Sequence, residues 1–294
     1  MSVRDVPTLV DDAGASDELE LRATPYTALY EHWERHQWSA LAIDLTTDAA
    51  TFQTLGETDR EGLVWIFANR FHAEFNVARL LAPFLIAAPS WELQLLLATQ
   101  TADEHRHLQV VLRIYEEVFG VKGGFEAVRA VADDNLDPVS KTLLCDKLEE
   151  WVSPLNERRD EDAFLQAMVV YHLLGEGVIA RAGQTLAARR YDDLQGFPGL
   201  ISGQRLVGRD EARHIGIGVS YLRSRMDADP TRTNALVAEV LDDLLPVAAR
   251  MLERANTDLG ELAVSGYGVD PEGFYREVMR LTDIRLRSIG FIEG

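Results

Sequence analysis

Two matching five-residue strings each pair a glutamate with a histidine at helical spacing. Residues 103–107 read Asp-Glu-His-Arg-His, and residues 210–214 read Asp-Glu-Ala-Arg-His. Both contain Glu-x-x-His, and residues three apart lie on the same face of a helix. Each string can therefore direct one carboxylate and one imidazole at a single point. Two such strings on two helices, with one glutamate from each of two more, form a carboxylate-bridged two-metal site in helical bundles.

Two further glutamates lie on apolar helix faces and complete this set. Glu74 is the one acid on an apolar stripe of residues 58–88, and Glu176 is the one acid on a stripe of residues 161–190. A carboxylate on a buried face is costly unless it is paired or bound to a metal. The predicted ligands are therefore Glu74, Glu104, His107, Glu176, Glu211 and His214, with Glu104 and Glu211 as the bridging pair. Four carboxylates balance two divalent ions, and oxygen-rich ligation suits iron or manganese better than structural zinc.

Residues next to the ligands are candidates to support them. Metal-bound histidines usually donate their other ring hydrogen to a carboxylate, a backbone carbonyl or water. Asp103 and Asp210 each precede a ligand glutamate and can accept such a bond across the bundle; the alternative is a solvated helix surface. His172 either points toward the site or is a hydrogen-bonded core histidine. Arg106 and Arg213 lie just off the ligand face, where we expect them to pair with surface acids.

Glycines flank Glu176 on both sides. Gly175 and Gly177 lie within a predicted helix, where each glycine costs about 1 kcal/mol relative to alanine. Together they indicate a close approach of a neighbouring helix or a local distortion around the ligand.

The hydrophobic periodicity predicts an all-α chain, without convincing strand alternation. Four long helices carry the ligands, at about 58–88, 90–119, 161–190 and 198–226. Shorter helices are predicted at about 25–40, 125–157, 230–255 and 271–288. The long connection between the second and third long helices favours a four-helix bundle with a crossover. We expect a flexible acidic N-terminus over residues 1–22 and one helical domain over residues 23–294.

The amino-acid composition limits which binding partners and which cellular compartment we expect for this protein. The net charge of −19 argues against nucleic acid, because no cationic surplus exists to displace counterions. We expect no apolar run long enough to span a membrane, because the longest candidate, around Leu80 to Ala88, is too short. Cys145 is the only cysteine, so no intramolecular disulfide can form and a reducing cytoplasm fits.

The six predicted ligands resemble those of the ribonucleotide reductase small-subunit-like branch of the ferritin-like superfamily. That branch includes the small-subunit-like ligand-binding oxidases and other dinuclear oxygenases. The resemblance covers roughly residues 25–226 and implies a ferritin-like four-helix bundle core with additional helices. The segment Trp33-Glu-Arg-His-Gln-Trp-Ser, with Ile43-Asp44, resembles the N-terminal stretch of the family. There Trp38 resembles a tryptophan that relays electrons to the metals; the alternative is core packing.

The chain departs from particular members of that branch. Radical-generating small subunits carry a tyrosine four residues after the first ligand histidine, where this chain has Val111. In the ligand-binding oxidases a valine two residues after the first glutamate is cross-linked to a tyrosine. Tyr171 resembles that tyrosine, but Asn76 stands at the valine position. The amine N-oxygenases have an extra histidine where this chain has Val207.

These features predict a non-heme di-iron, or Mn/Fe, oxygenase or oxidase that uses O2 to oxidise a small molecule, with N-oxygenation of an amine as one form. The alternatives are a ligand-binding oxidase, a radical-generating ribonucleotide reductase subunit and, less favoured, metal storage. The predicted catalytic residues are Glu104, Glu211, Tyr171 and Trp38, and an apolar pocket or plain core is expected around Phe67, Phe71, Leu97 and Val207. We expect an external electron donor of the ferredoxin or flavin reductase type, a homodimer, and neither nucleic acid nor membrane as a partner.

Overall fold

The fold is built from helices in a computed structural model that describes residues 19–136, 138–253, 266, 268 and 271–292, and these residues form no strand. The helices are α1 (Tyr26–Arg35), α2 (Thr46–Thr54), α3 (Glu57–Ala87), α4 (Trp91–Arg113), α5 (Gly124–Asp134), α6 (Pro138–Lys141), α7 (Leu148–Val152), α8 (Glu161–Met168), α9 (Arg181–Leu194), α10 (Pro198–Ala228), α11 (Pro230–Glu253) and α12 (Pro271–Ile289). Of the predicted flexible N-terminus, residues 1–18 lie outside the described residues. The prediction of an all-α fold is confirmed.

Four long helical elements form the core of the bundle. They are α3, α4, α10 and a continuous helix made of α8, the segment Val169–Ala180 and α9. Helix α3 packs along α4, whereas α10 packs against Val169–Ala180, α9 and α4. The last helix, α12, covers Val169–Ala180 and α10 from outside. Two pairs of long helices therefore face each other, and the connection through α5, α6 and α7 crosses between them.

Local sequence signals set the starts of these helices. The Ser90 side chain accepts a hydrogen bond from Leu93 N at 3.2 Å, and Asp160 caps α8 by accepting from Ala163 N at 2.8 Å. Each cap satisfies a backbone donor that the first helical turn leaves unpaired. Pro198 opens α10, where its missing N–H costs no helical hydrogen bond.

Segment Val169–Ala180 is wound as a π-helix rather than an α-helix. A π-helical stretch within a longer helix changes which backbone groups pair and often marks a functional site. The stretch contains Glu176 and its two flanking glycines, so the local distortion expected from those glycines is present.

Contrary to the expectation that no apolar run is long enough, the helix from Glu161 to Leu194 could cross a membrane by length and composition alone. Its most apolar stretch is mostly buried against other helices, as in the core helix of a bundle.

Candidate metal centre

The six predicted ligand residues converge at the centre of the bundle, and each is at most 5% exposed. Their ligand atoms form two groups, and within each group the atoms lie within 4.8 Å of one another. One group is Glu74, Glu104, His107 and Glu211; the other is Glu104, Glu176, Glu211 and His214. Glu104 and Glu211 belong to both groups. The arrangement is that of two adjacent cation sites with two shared carboxylates.

The oxygen atoms of Glu104 are divided between the two histidines. Its Oε2 lies 3.3 Å from His107 Nδ1, and its Oε1 lies 3.0 Å from His214 Nδ1. Glu211 repeats this pattern, with Oε1 at 3.5 Å from His107 Nδ1 and Oε2 at 3.7 Å from His214 Nδ1. A carboxylate that faces one imidazole with each oxygen has the geometry needed to bridge two cations.

Each remaining glutamate faces one histidine. Glu74 Oε2 lies 3.5 Å from His107 Nδ1, and Glu176 Oε1 lies 3.7 Å from His214 Nδ1. The two sites therefore have the same composition: one histidine, one glutamate of their own and two shared glutamates.

Unpaired polar atoms at the centre show that the donor set fits metal ions. Nδ1 of both histidines and Oε2 of Glu104, Glu176 and Glu211 are buried without a hydrogen-bond partner. Buried carboxylate and imidazole atoms are rarely left unpaired, because desolvation without compensation is costly. Two divalent cations would satisfy all of these atoms and neutralise the four carboxylates.

The carboxyl pKa values of the shared glutamates, Glu104 and Glu211, shift in the opposite direction from those of Glu74 and Glu176. Burial alone raises the pKa of every buried carboxyl group. For Glu104 and Glu211, the imidazoles on either side outweigh burial and hold the pKa below its usual range. For Glu74 and Glu176, burial prevails and the pKa is raised. In the metal-free protein the shared pair is therefore the more strongly ionised.

The outward nitrogens of both histidines meet aspartates from the opposite helix. His107 Nε2 lies 3.3 Å from Asp210 Oδ2, and His214 Nε2 lies 3.3 Å from Asp103 Oδ2. Helices α4 and α10 thus position each other's ligand histidines, because each helix supplies the aspartate that faces the histidine of the other. A carboxylate partner at Nε2 leaves Nδ1 free to face a metal and increases its basicity.

A tryptophan donates a hydrogen bond to the aspartate of each histidine–aspartate pair. Trp38 Nε1 donates to Asp210 Oδ2 at 2.7 Å, and Trp33 Nε1 donates to Asp103 Oδ1 at 3.0 Å. Both indoles are half-buried, so each hydrogen-bonded chain runs from near the surface to a ligand histidine. Trp38 also stacks on the ring of His107, with centroids 6.3 Å apart. The sequence predicts a role for Trp38, whereas the contact of Trp33 with Asp103 is seen only in the structure.

Two arginines lie beside these aspartates, and for both the prediction of a surface acid partner is wrong, because Asp103 and Asp210 are buried. Arg213 is 1% exposed and donates to Asp103 Oδ2 at 2.7 Å and to Thr99 Oγ1 at 3.0 Å. Burial opposes ionisation of Asp103, but His214 and Arg213 outweigh it, so its pKa is well below the usual range. Arg106 contacts both Asp103, at 3.0 Å, and Asp210, at 3.4 Å.

A glutamine that the sequence analysis did not select connects His172 to the ligands. Gln100 is fully buried, and its Nε2 donates to Glu176 Oε1 at 2.8 Å and to Glu104 Oε1 at 3.4 Å. Its Oε1 lies 2.9 Å from His172 Nε2. Burial lowers the pKa of His172 to about 3, so the ring is neutral and Nε2–H is the donor. His172 therefore acts on the site through Gln100. The helical spacing of Gln100, four residues before Glu104, was the available signal.

A cavity of about 180 Å³ opens from the glutamates into the outer part of the bundle. Glu74, Glu104, Glu176, Glu211 and Tyr171 line its inner end. Its outer part is mostly apolar and includes Leu143, Leu148, Leu244, Leu245, Phe274 and Val278. Phe67 and Val207 instead line a separate void of about 10 Å³ beside His107, and Phe71 and Leu97 are core residues that line neither space. Of the two expectations for those four residues, plain core is the one observed, and the larger cavity lies elsewhere.

Tyr171 lies at the inner end of this cavity, 1% exposed, with a hydroxyl that has no hydrogen-bond partner. Burial and the nearby carboxylates raise its pKa well above the usual value, so the hydroxyl is neutral. Asn76, at the position of the valine in the family cross-link, instead donates to Cys145 Sγ at 3.2 Å. Val111 is buried beside the void near His107.

The helix arrangement has the ferritin-like fold seen in ribonucleotide reductase small-subunit-like proteins. Two solved structures of R2-like ligand-binding oxidase superpose on the chain: a valine-to-alanine variant with an anaerobically reconstituted Mn/Fe cofactor and a tyrosine-to-phenylalanine variant with an aerobically reconstituted one. Each aligns with a TM-score of 0.79 and 22% identity over 92% of this chain and 94% of the other. No family model matches the sequence. The resemblance drawn from the ligand pattern is thus confirmed for the fold.

Proposed function

We propose that this protein is an O2-dependent dinuclear non-heme metal oxidase or oxygenase that acts on a small, largely apolar molecule. The observation that carries the proposal is the division of the Glu104 and Glu211 oxygens between the two histidines. Redox-active metal ions held by these residues would supply electrons for activating O2. Iron in both sites and a Mn/Fe pair are both compatible with this donor set, and the similar oxidases carry Mn/Fe.

The chain's own residues would hold and insulate the centre. Glu74 with His107, and Glu176 with His214, would bind one ion each, while Glu104 and Glu211 bridge them. Asp210 and Asp103 would keep Nε2 of each histidine protonated and Nδ1 directed inward. The fully buried Gln100 would orient the Glu176 carboxylate. Apolar residues around the cavity would exclude water from the reacting end.

The cavity supports a small-molecule substrate. A volume of about 180 Å³ is comparable with the roughly 150 Å³ apolar cavity that is known to bind benzene. Its inner end is formed by the glutamates and Tyr171, so a substrate there would lie directly against the centre. We propose Tyr171 as a residue that hydrogen-bonds the substrate or O2-derived oxygen, because its hydroxyl has no protein partner. Oxidation at the nitrogen of an amine is one form of this proposal.

Trp38 is proposed as the route by which electrons reach the centre. It connects a half-buried position to His107 through Asp210. An external electron donor of the ferredoxin or flavin reductase type would bind near this tryptophan. The protein would act as a homodimer in the cytoplasm.

Anaerobic loading with Fe(II), followed by exposure to O2, tests the proposal directly. We expect two metal ions per chain by elemental analysis and a new optical absorption after O2 is added. Glu104→Ala and Glu211→Ala should each abolish that absorption. Binding of well below two ions per chain would contradict the two-metal centre, and full absorption in both variants would contradict the bridging roles.

A ligand-binding oxidase is the second candidate, and the position of Tyr171 in the cavity favours it. Mass spectrometry of a digest, before and after O2 exposure, would show whether Tyr171 becomes covalently linked to another residue. The buried Val111, where radical-generating subunits have tyrosine, disfavours the third candidate. A persistent tyrosyl-radical signal by electron paramagnetic resonance after aerobic iron loading would restore it.

A further inference from the structure

Arg285 of α12 reaches the backbone beside Glu176. Its Nε donates to the carbonyl oxygen of Gly177 at 2.9 Å, and the side chain is 1% exposed. This arginine lies 108 residues from Gly177 along the chain and contacts none of the six ligand side chains. A buried guanidinium needs partners for its donors, because burying an unpaired charge is strongly unfavourable.

The π-helical winding changes the pairing around that carbonyl. In an α-helix the N–H of Arg181 would bond the carbonyl four residues earlier, which is that of Gly177. Here it is directed instead to the carbonyls of Glu176 and Val178. The Gly177 carbonyl accepts from Arg285, so the arginine supports the distorted turn that carries Glu176.

The contact between Arg285 and the backbone at position 177 favours glycine there. A Cβ atom at this position would lie 3.0 Å from Arg285 Nε and 3.0 Å from the carbonyl oxygen of His172. Both distances are shorter than those of most real Cβ contacts, so a side chain would displace the guanidinium or the turn. The glycine after Glu176 thus has a specific role, which is to admit Arg285.

The N-terminal part of the described chain holds Arg285 in place. One terminal nitrogen of Arg285 donates to the Glu20 carbonyl at 3.1 Å, and the other pairs with the Glu20 carboxylate. Arg181 contacts the second oxygen of the same carboxylate at 2.6 Å. Glu20 is 5% exposed. Residues from both ends of the described chain therefore meet one turn of helix beside a predicted metal ligand.

We propose that Arg285, held by Glu20, is a positioning residue that sets the orientation of Glu176 and so the metal affinity of the site containing His214. This inference rests on the proposed metal centre. A charge-assisted hydrogen bond is stronger than a neutral one, and loss of outer support for metal ligands typically reduces affinity about 10- to 100-fold. The site containing His107 has no contact with this group and should be unaffected.

Stepwise binding of Co(II) to the metal-free protein tests the inference without reliance on activity. Glu176→Gln identifies the binding step that belongs to the His214 site. We expect Arg285→Gln to weaken that step about 10- to 100-fold and to leave the other step unchanged. Arg285→Lys should restore part of the affinity, because an ammonium group can still donate to Glu20 or to the Gly177 carbonyl.

Arg181→Gln is the matched control. It removes an arginine that also pairs with Glu20, while leaving the bond from Arg285 to Gly177 intact, so both binding steps should match the wild type. If Arg285→Gln does not fold, Glu20→Gln decides, and it should weaken the same single step less severely. Any of three results would overturn the inference: unchanged binding in the variant that is measured, equal weakening of both steps, or the same loss in Arg181→Gln. A wild-type protein that binds fewer than two Co(II) ions would instead overturn the proposed function, and the inference with it.

Discussion

His107 Nε2 lies 3.3 Å from Asp210 Oδ2, although the two residues belong to different helices and to different copies of the repeated string. The mirror pair of His214 and Asp103 has the same separation. Each string therefore supplies a ligand pair to the centre and an aspartate to the histidine of the other string. The repetition is explained by this exchange, which needs an aspartate directly before each ligand glutamate.

Replacement of Asp210 by asparagine should weaken metal binding at the His107 site. Asparagine is nearly isosteric but uncharged, so His107 becomes a less basic ligand, and we expect a loss of affinity of about 10- to 100-fold. Co(II) titration of the metal-free protein measures it. Asp243→Asn is the control, because Asp243 pairs with Lys147 and Trp151 and none of the ligands. Equal affinities in the wild type and Asp210→Asn would contradict the proposed support.

Metal binding should release protons at neutral pH. Burial alone would lower the pKa of His107 and His214, but the surrounding carboxylates outweigh it and raise both well above the usual value. In the metal-free protein both rings are therefore protonated at pH 7, and a metal must displace a proton from each. Affinity should rise with pH until the raised histidine pKa values are passed. Calorimetry in buffers of different ionisation enthalpy should show at least about one proton released per ion, because the raised pKa values of Glu74 and Glu176 can add to the proton from each histidine; binding without proton release would contradict it.

Gln100→Leu should destabilise the metal-free protein. The change removes the bonds to Glu176 and Glu104 and leaves His172 Nε2 without its acceptor in a fully buried position. An unsatisfied buried donor costs about 1–3 kcal/mol. Urea unfolding measures the difference in free energy of unfolding. Gln94→Leu, at an exposed position on the same helix, should change stability much less, and equal losses in the two variants would argue against the buried network.

Trp38→Phe should slow electron delivery to the oxidised iron-loaded protein. Phenylalanine retains much of the packing but cannot donate to Asp210, which breaks the chain to His107. Stopped-flow reduction by dithionite, followed by loss of the oxidised absorption, measures the rate, and we expect a several-fold decrease. Trp33→Phe tests the mirror chain through Asp103. Trp91→Phe, at a position that is 69% exposed, is the control and should reduce at the wild-type rate.

Leu245→Trp should block the cavity while leaving the metal centre intact. Leu245 lines the cavity from α11, and the larger side chain would occupy space that a substrate needs. We expect two Co(II) ions per chain, as in the wild type, together with loss of binding of an apolar probe such as indole, measured by calorimetry. Leu41→Trp, at a position that is 75% exposed, is the matched control. Undiminished probe binding in Leu245→Trp would show that the probe binds elsewhere.

The convergence of the six candidate ligands could be predicted from the sequence because it depends on local periodicity. Glu104 and His107 share a helix face by their spacing alone, and Glu74 and Glu176 stand out as acids on apolar stripes. The long helices also follow from local signals, and the structure places them close to the predicted bounds, as for Pro198–Ala228.

Packing between distant parts of the chain determines the rest. Three hydrogen bonds beside the centre join residues that are far apart in sequence. They link Arg213 to Asp103, Gln100 to Glu176, and Arg285 to Gly177. The cavity is formed where α11 and α12 meet the π-helical segment, so its location had no local signal. Side-chain spacing within one helix defines which residues share a face, but only the packing of the helices defines what that face meets. The paired strings therefore identify the centre, and the tertiary contacts identify the residues that hold it in place.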